Sequence, residues 1–317
     1  MRKHAPIFFL TLALLMGLTF AQNNVLSVAR VNATSLDASA AIWNDAPVLE
    51  VATAAAVPGE PAGPVVRLQA VQDGDTIAFR AEWADATESI FKNAWTFDGA
   101  TFAKSGDEDR LLFTWPIQNN ADFASRGCTA ACHSSGDDRS TWWMGSDNPS
   151  LTYDAWQWKA SRTNGAGYVD DKWWGELRDP SDIESSRHGD AKESGGYRTN
   201  ANEAGDGPAF MGSLGADARY LLASEAVAID PTLLAAGALI PGYVLERAVG
   251  SRGDIDTQGT WEDGTWVVVM RRPLDTGHED DVRFTVRRRL PFGLAVVDNG
   301  GGLKHTIAPE ALILDWR

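Results

Sequence analysis

Short apolar runs recur along the chain, and each is bounded by Gly, Asp, Asn or Pro. Runs rich in Val, Ile, Phe or Trp lie at 65–71, 76–83, 110–116, 242–247, 265–271, 282–287 and 294–297. Such runs are typical of β-strands. Turn residues between them, as in Asp73-Gly74-Asp75 and Glu262-Asp263-Gly264, indicate tight hairpins. The pattern predicts a mainly β fold, built as an antiparallel β-sandwich.

One long segment interrupts this pattern. Residues 162–217 are rich in Gly, Asp, Ser, Asn and Glu and contain few apolar residues. We interpret 162–217 as a polar insertion at the surface of the sandwich, either partly disordered or wrapped around a site, because long structureless loops are unusual in compact domains. A few short helices are expected, with 231–236 as the best candidate in the second half. Residues 22–317 are expected to form one domain.

The N-terminus has the pattern of a secretory signal peptide. Arg2 and Lys3 precede an apolar run that ends in small residues at Ala21. The sequence therefore predicts a signal peptide at residues 1–21 and a protein exported to the periplasm or another extracytoplasmic compartment, with an uncleaved anchor as the alternative. No later stretch is apolar enough to span a membrane, so no membrane insertion is expected after cleavage.

The formal net charge of −15 makes nucleic acid an unexpected partner. An acidic surface suits a basic redox partner, although it also serves solubility alone.

The chain contains only two cysteines, and both lie in one motif, Cys128-Thr129-Ala130-Ala131-Cys132-His133. Two thiols followed at once by an imidazole are typical of covalent haem attachment, in which the histidine becomes an iron ligand. The usual motif has two residues between the cysteines, whereas this chain has three. The alternatives are a Cys128–Cys132 disulfide with an incidental histidine, and a zinc site that lacks a fourth ligand.

Several blocks resemble a known family in their order along the chain. Trp142-Trp143-Met144-Gly145 follows the cysteine motif, and further blocks lie at 75–85, 154–160, 264–274, 302–305 and 312–314. Together they resemble the haem-binding domain of the electron-transfer subunits of ethylbenzene dehydrogenase and related molybdenum enzymes of the dimethyl-sulfoxide-reductase type. The added cysteine pair and His133 resemble a c-type branch of that family.

The resemblance implies a β-sandwich that holds one haem, with a methionine and a lysine as iron ligands in b-type members. Those ligands correspond to Met144 and Lys304. We expect one covalent haem c, with haem b as the fallback. His133 is expected to take one iron face because its neighbour Cys132 is tethered. Met144 is favoured over Lys304 for the other face, since a thioether needs no deprotonation.

Tryptophans are numerous, and Trp143, Trp156 and Trp158 are expected to contribute to the haem pocket, together with Trp142, Trp173 and Trp174. His188, His278 and His305 are interpreted as surface residues, with His188 as an unusual alternative ligand. The adjacent Asp170 and Asp171 are expected to be solvated.

The sequence predicts an electron-transfer protein and not an enzyme, because it has neither a molybdopterin signature nor an iron–sulfur cysteine set. A redox partner is expected, with a molybdenum oxidoreductase as the candidate. The alternative is a haem-free carbohydrate-binding or other ligand-binding module, in which tryptophans form a sugar-stacking platform and Cys128 and Cys132 form a disulfide.

Overall fold

The computed structural model describes residues 24–133, 143–146, 148–176, 185–213, 215, 218–300 and 305–316, with Cys132, His133 and Trp143 described by their backbone only. The expected signal peptide and Lys304 lie outside these residues.

Strands dominate the described chain. The first twelve are β1 (Val25–Arg30), β2 (Leu49–Ala52), β3 (Ala54–Ala55), β4 (Val65–Gln72), β5 (Thr76–Ala84), β6 (Ala94–Phe97), β7 (Phe102–Ser105), β8 (Arg110–Pro116), β9 (Cys132–His133), β10 (Trp143–Met144), β11 (Tyr153–Lys159) and β12 (Asp170–Trp174). The others are β13 (Arg187–Gly189), β14 (Ser194–Thr199), β15 (Phe210–Gly212), β16 (Ala226–Ala228), β17 (Leu239–Ile240), β18 (Tyr243–Val249), β19 (Asp256–Glu262), β20 (Thr265–Pro273), β21 (Leu290–Val297), β22 (Thr306–Ile307) and β23 (Leu312–Trp316).

Helical structure is limited to short pieces in the described part of the chain. Helix α1 spans Ala121–Arg126, and 3₁₀ turns occupy Ala41–Trp43, Gly127–Ala130, Asn164–Ala166, Pro231–Leu233 and Ser251–Gly253. The helix expected at 231–236 is therefore a single 3₁₀ turn. None of the helices in the described ranges has the length and apolar character needed to cross a bilayer.

One large sheet forms the body of the fold. Its strands follow the order β13-β12-β11-β8-β21-β23-β1-β4-β5-β20-β19. Pairing is antiparallel except at β1, which runs parallel to both β23 and β4. The sheet curls so that its halves face each other: Phe79 of β5 lies with its ring centroid 5.5 Å from that of Phe113 and 5.6 Å from that of Trp115, both on β8. The predicted mainly β, sandwich-like fold is confirmed.

The predicted hairpins form. At the first, the Asp73 carboxylate accepts hydrogen bonds from the backbone of Asp75 and Thr76. At the second, Asp263 and Gly264 both have positive φ, at 48° and 77°, which is the backbone of a type I′ turn. These turns connect β4 to β5 and β19 to β20.

The prediction of a strand at 282–287 is wrong. Val282 and Phe284 are buried in an irregular loop before β21, at 4% and 3% exposure. Alternate apolar residues here fill the core without pairing to a neighbouring strand. Alternation of apolar and polar residues indicates which side chains are buried. It does not indicate whether the backbone is hydrogen-bonded to a neighbouring strand.

The segment 162–217 contributes to the sheet instead of lying wholly outside it. Within its described part, β12 and β13 extend the sheet beyond β11, and β14 pairs with β18. Tyr168 and Val169 are fully buried. Residues 177–184, 214 and 216–217 lie outside the described residues.

Candidate functional site

Strand alternation gives the β8–β21 region two different faces. One face carries Leu111, Phe113 and Trp115 into the core. The other carries Leu112 and Thr114, paired with Ala295 and Gly293 of β21. These small and aliphatic side chains form the floor of a cavity of about 150 Å³ enclosed by described residues.

Cys128 lies over this floor. Asn120 caps the N-terminus of helix α1, and its side chain accepts hydrogen bonds from the backbone of Asp122 and Phe123. Gly127, with φ 59°, caps the C-terminus. Fully buried Phe123 packs against Tyr153 and anchors the helix.

The next turn brings the buried Cys128 into the cavity lining. A Cβ built on Gly293 would lie 2.1 Å from Cys128 Sγ, so only glycine permits this close approach of the thiol to the sheet.

A pair of two-residue strands places Met144 beside the cysteine motif. Antiparallel β9 and β10 pair Met144 with Cys132 and Trp143 with His133. The Gly145 N–H donates to the Ala131 carbonyl at 2.9 Å, which fixes the strand pair to the Cys128 turn. Met144 is half-buried and lines the same cavity as Cys128.

The far end of the cavity is cationic. Arg110, Lys159, Arg162 and Lys172 line this end, whereas Arg187 follows Ser186, whose hydroxyl donates to the Met144 carbonyl. The lining contains no aspartate or glutamate among the described residues. Arg110 and Lys159 are paired across β8 and β11. Thr114 lies four positions after Arg110 along β8, about 13 Å of strand. The cavity thus has a sulfur-lined end and a cationic end.

Two buried acids support the cations from behind. Glu108, which is fully buried, accepts from Arg110 Nε at 3.1 Å and from Arg162 Nε at 2.8 Å. Asp170 contacts Lys159 Nζ and accepts from Arg252 Nε at 2.6 Å. Since five cations line the space and these two acids lie outside it, the cavity favours an anionic ligand.

The pKa values of the cationic end are strongly perturbed. Burial lowers the pKa of Lys159 to about 7, although Asp170 opposes this effect. Burial acts to raise the pKa of Asp170, but Lys159, Lys172 and Arg252 hold it well below its usual range. Asp170 is therefore ionised at neutral pH. The expectation that Asp170 and Asp171 are solvated is wrong, because both are fully buried.

The tryptophans divide between the two faces of the sheet. Trp156 and Trp158 are fully buried in the main core, on the face of β11 turned away from the cavity. Trp174 of β12 lines the cavity. Trp173 instead stacks on His188 at 4.0 Å between ring centroids. The structure thus places Trp156 and Trp158 apart from Cys128 and Met144, and the period of two along β11 is the physical reason.

His305 is half-buried and lines the cavity, which differs from its interpretation as a surface residue. It follows directly on the undescribed residues 301–304 and precedes β22, which pairs with β21. His188 does not line this cavity.

Sequence reasoning missed the cationic end. Its members lie at alternate positions of otherwise aromatic strands, as Gln157 and Lys159 do beside Trp156 and Trp158. That alternation was the available signal. Arg162, Lys172, Arg187 and Tyr197 come from the segment 162–217, where nothing in the local pattern indicated a shared cavity.

Comparisons with known proteins give one family and a distant structural likeness. A family model described as ethylbenzene dehydrogenase matches residues 40–305. No curated protein matches the sequence.

Among solved structures, one from Bacteroides uniformis, described as a carbohydrate-binding protein, is 11% identical, with a TM-score of 0.40 and coverage of 93% of this chain and 99% of the other. A family 9 carbohydrate-binding module from Caldicellulosiruptor kristjanssonii in complex with glucose is 8% identical, with a TM-score of 0.36 and coverage of 92% and 95%. Likeness at this level does not bear on what the present chain binds.

Proposed function

Because the chain belongs to the ethylbenzene dehydrogenase family, we propose that it is an electron-transfer protein that carries one covalently attached haem c. We further propose that it is exported, that it has no substrate chemistry of its own, and that it exchanges electrons with an extracytoplasmic oxidoreductase, a molybdenum enzyme in the family's pattern. When bound, the haem iron would supply reversible one-electron chemistry.

The observation that carries the proposal is the meeting of Cys128 and Met144 at the sulfur-lined end of the cavity. Two residues sixteen positions apart converge there, and the backbone pairing brings Cys132 opposite Met144. A thiol pair and a thioether are the groups that attach haem c and ligate its iron. Met144 and His133 are therefore the favoured residues to ligate the iron, with Lys304 as the competitor of Met144.

The lining residues match the chemistry of such a group at its two ends, and the cavity of about 150 Å³ would have to widen to admit the macrocycle. Haem c has its thioether bonds on one side and its two propionate carboxylates on another. The cysteine motif would hold the first side, and Arg110, Arg162 and Lys172 would bind carboxylates. The floor of Leu112 and Ala295 is apolar, as a flat macrocycle requires.

The alternative, a sugar-binding module, needs an exposed aromatic platform. No tryptophan whose side chain is described is exposed; each is buried or half-buried. The electron-transfer function is therefore the better supported of the two.

Intact mass and a visible spectrum test the proposal. The full chain is produced in cells with a cytochrome c maturation system and then extracted with acidified organic solvent. We expect a mass increase of one haem and colour that stays with the protein. Extractable haem would indicate a b-type site, and a colourless protein with a Cys128–Cys132 disulfide would overturn the proposal in favour of the binding module.

The sixth ligand has its own prediction. Met144→Ala is expected to remove the sulfur-to-iron charge-transfer band of the oxidised protein and to lower the reduction potential, because a methionine ligand raises it. Lys304→Ala is the matched control and should leave both unchanged. Visible spectroscopy during a redox titration measures both the band and the potential. If Lys304→Ala changes them and Met144→Ala does not, the ligand is Lys304.

A further inference from the structure

Four aspartates are buried together on the face of the sheet turned away from the cavity. They are Asp154 of β11, Asp171 of β12, Asp190 after β13 and Asp281 between β20 and β21, named here the carboxylate cluster. None exposes more than 6% of its surface. Fully buried Arg272 lies with Nη1 3.0 Å from Asp154 Oδ2 and 3.8 Å from Asp281 Oδ2. One guanidinium group leaves most of this negative charge uncompensated.

Each member of the cluster also has an oxygen atom without a donor. Asp154 Oδ2 accepts from Arg272 and from the Val282 N–H, and Asp171 Oδ1 accepts from the Lys172 N–H. The second oxygen of all four aspartates is buried and has no hydrogen-bond partner among the described residues. Such an oxygen is costly unless a cation or donor meets it.

The spacing of these oxygens suits a metal ion. One ligand oxygen each of Asp154, Asp171 and Asp281 lies within 4.8 Å of the others. Asp190, Asp280 and Asp281 form a second group with the same spacing, so Asp281 is common to both. Ca²⁺ binds oxygen at roughly 2.3–2.6 Å, which puts two ligands of one ion at most about 5 Å apart.

A second acidic group shows the contrast. Asp85, Asp109 and Asp298 have similar spacing. There, however, Asp109 accepts from the N–H groups of Ser89 and Asn299 and from the indole of Trp266. Asp298 is exposed. Protein N–H groups satisfy Asp109 and solvent reaches Asp298, so Asp85 Oδ2 is the one buried oxygen of this group without a hydrogen-bond partner among the described residues.

We propose that the carboxylate cluster binds one Ca²⁺ ion. The donors are hard oxygens, whereas zinc prefers nitrogen and sulfur. Mg²⁺ usually retains several waters, and a buried set of protein carboxylates suits Ca²⁺ better. Four carboxylates and one arginine sum to three negative charges, which a divalent cation largely neutralises.

The ion would join distant parts of the fold. Its ligands come from β11, from β12, from the residue that follows β13 and from the loop after β20. The same β11 and β12 present Gln157 and Lys172 to the cavity on their other face. Bound Ca²⁺ would therefore hold the cavity wall against the opposite half of the sandwich.

Metal analysis and thermal unfolding test the site. The purified full chain is analysed by elemental mass spectrometry, stripped with EGTA and melted with added CaCl₂ or MgCl₂. We expect one calcium per chain, and a Tm increase of about 5–10 °C at roughly a hundredfold excess of Ca²⁺ over Kd. MgCl₂ should give a much smaller increase. A chain without calcium, with no Ca²⁺-dependent Tm, would show that the aspartates share protons instead and would overturn the proposal.

Variants locate the ion. Asp171→Asn should weaken Ca²⁺ binding by more than about tenfold, by the scale of losses seen at metal sites. Asp85 is a buried aspartate of the contrasting group, and Asp85→Asn should keep the wild-type increase in Tm with Ca²⁺. The assignment would be refuted if Asp85→Asn lost the Ca²⁺-dependent increase in Tm, or if Asp171→Asn kept it unchanged.

If Asp171→Asn does not fold, Tb³⁺ emission from the stripped wild-type chain replaces it. Trp156 is paired with Asp171 across β11 and β12, so it should sensitise bound Tb³⁺. Added Ca²⁺ should displace Tb³⁺ and so remove the emission. Absence of sensitised Tb³⁺ emission would count against the site.

Discussion

The double variant Cys128→Ala/Cys132→Ala is expected to release all of its haem into acidified organic solvent, whereas the wild-type chain keeps its haem. The reason is covalent: the proposal leaves Met144, His133 and packing to hold the group once both thioether bonds are gone. Haem-stained denaturing gels and intact mass measure the effect. A complete change from retained to extracted haem is the largest functional effect that we predict for this chain.

The single variants provide the control. Cys128→Ala and Cys132→Ala should each keep one thioether bond and therefore remain coloured after extraction. Cys128 packs on the sheet at Ala295 and Ile307, so its truncation also tests whether the fold survives loss of the thiol. A wild-type chain that loses its haem as readily as the double variant would contradict covalent attachment.

The strands were the part of the fold that the sequence could predict. The run at 110–116 matches β8 because it is short, rich in apolar and aromatic residues, and bounded by Asp109 and Pro116. The turn at Asp263-Gly264 was predictable because few residues adopt positive φ. Partner strands were not predictable, since the parallel pairing of β1 with β23 joins the two ends of the chain.

The sulfur-lined end of the site was also predictable in part. Cys128 and Met144 lie in neighbouring motifs, and the pairing of β9 with β10 brings them to one cavity. Buried charges were not predictable, because their partners are remote in sequence. Asp170 meets Arg252, 82 positions away, and Asp154 meets Arg272, 118 positions away. In a sequence window that contains only one partner of such a pair, a buried aspartate looks the same as a solvated one.

The prediction with the largest expected effect on stability concerns Asp170. Asp170→Asn should lower the free energy of unfolding by about 3–5 kcal/mol, because it removes the one carboxylate that neutralises buried Lys159 and its neighbours. Since the folded pKa is depressed, the wild-type advantage should be complete above roughly pH 5 and should shrink as the pH falls below the ordinary aspartate value of about 4. Chemical denaturation across this pH range measures it.

Asp256→Asn is the matched control for that experiment. Asp256 also pairs with two arginines, Arg247 and Arg271, at 2.7 Å each, but these three side chains are about a third or more exposed. Solvent screens such pairs, so its loss should cost only about 0–1 kcal/mol. Equal destabilisation by the two variants would mean that the buried Asp170 pairs stabilise the fold no more than the exposed Asp256 pairs. A large difference would show that the cationic end of the cavity depends on an acid from the segment 162–217, which links that segment to the site as well as to the sheet.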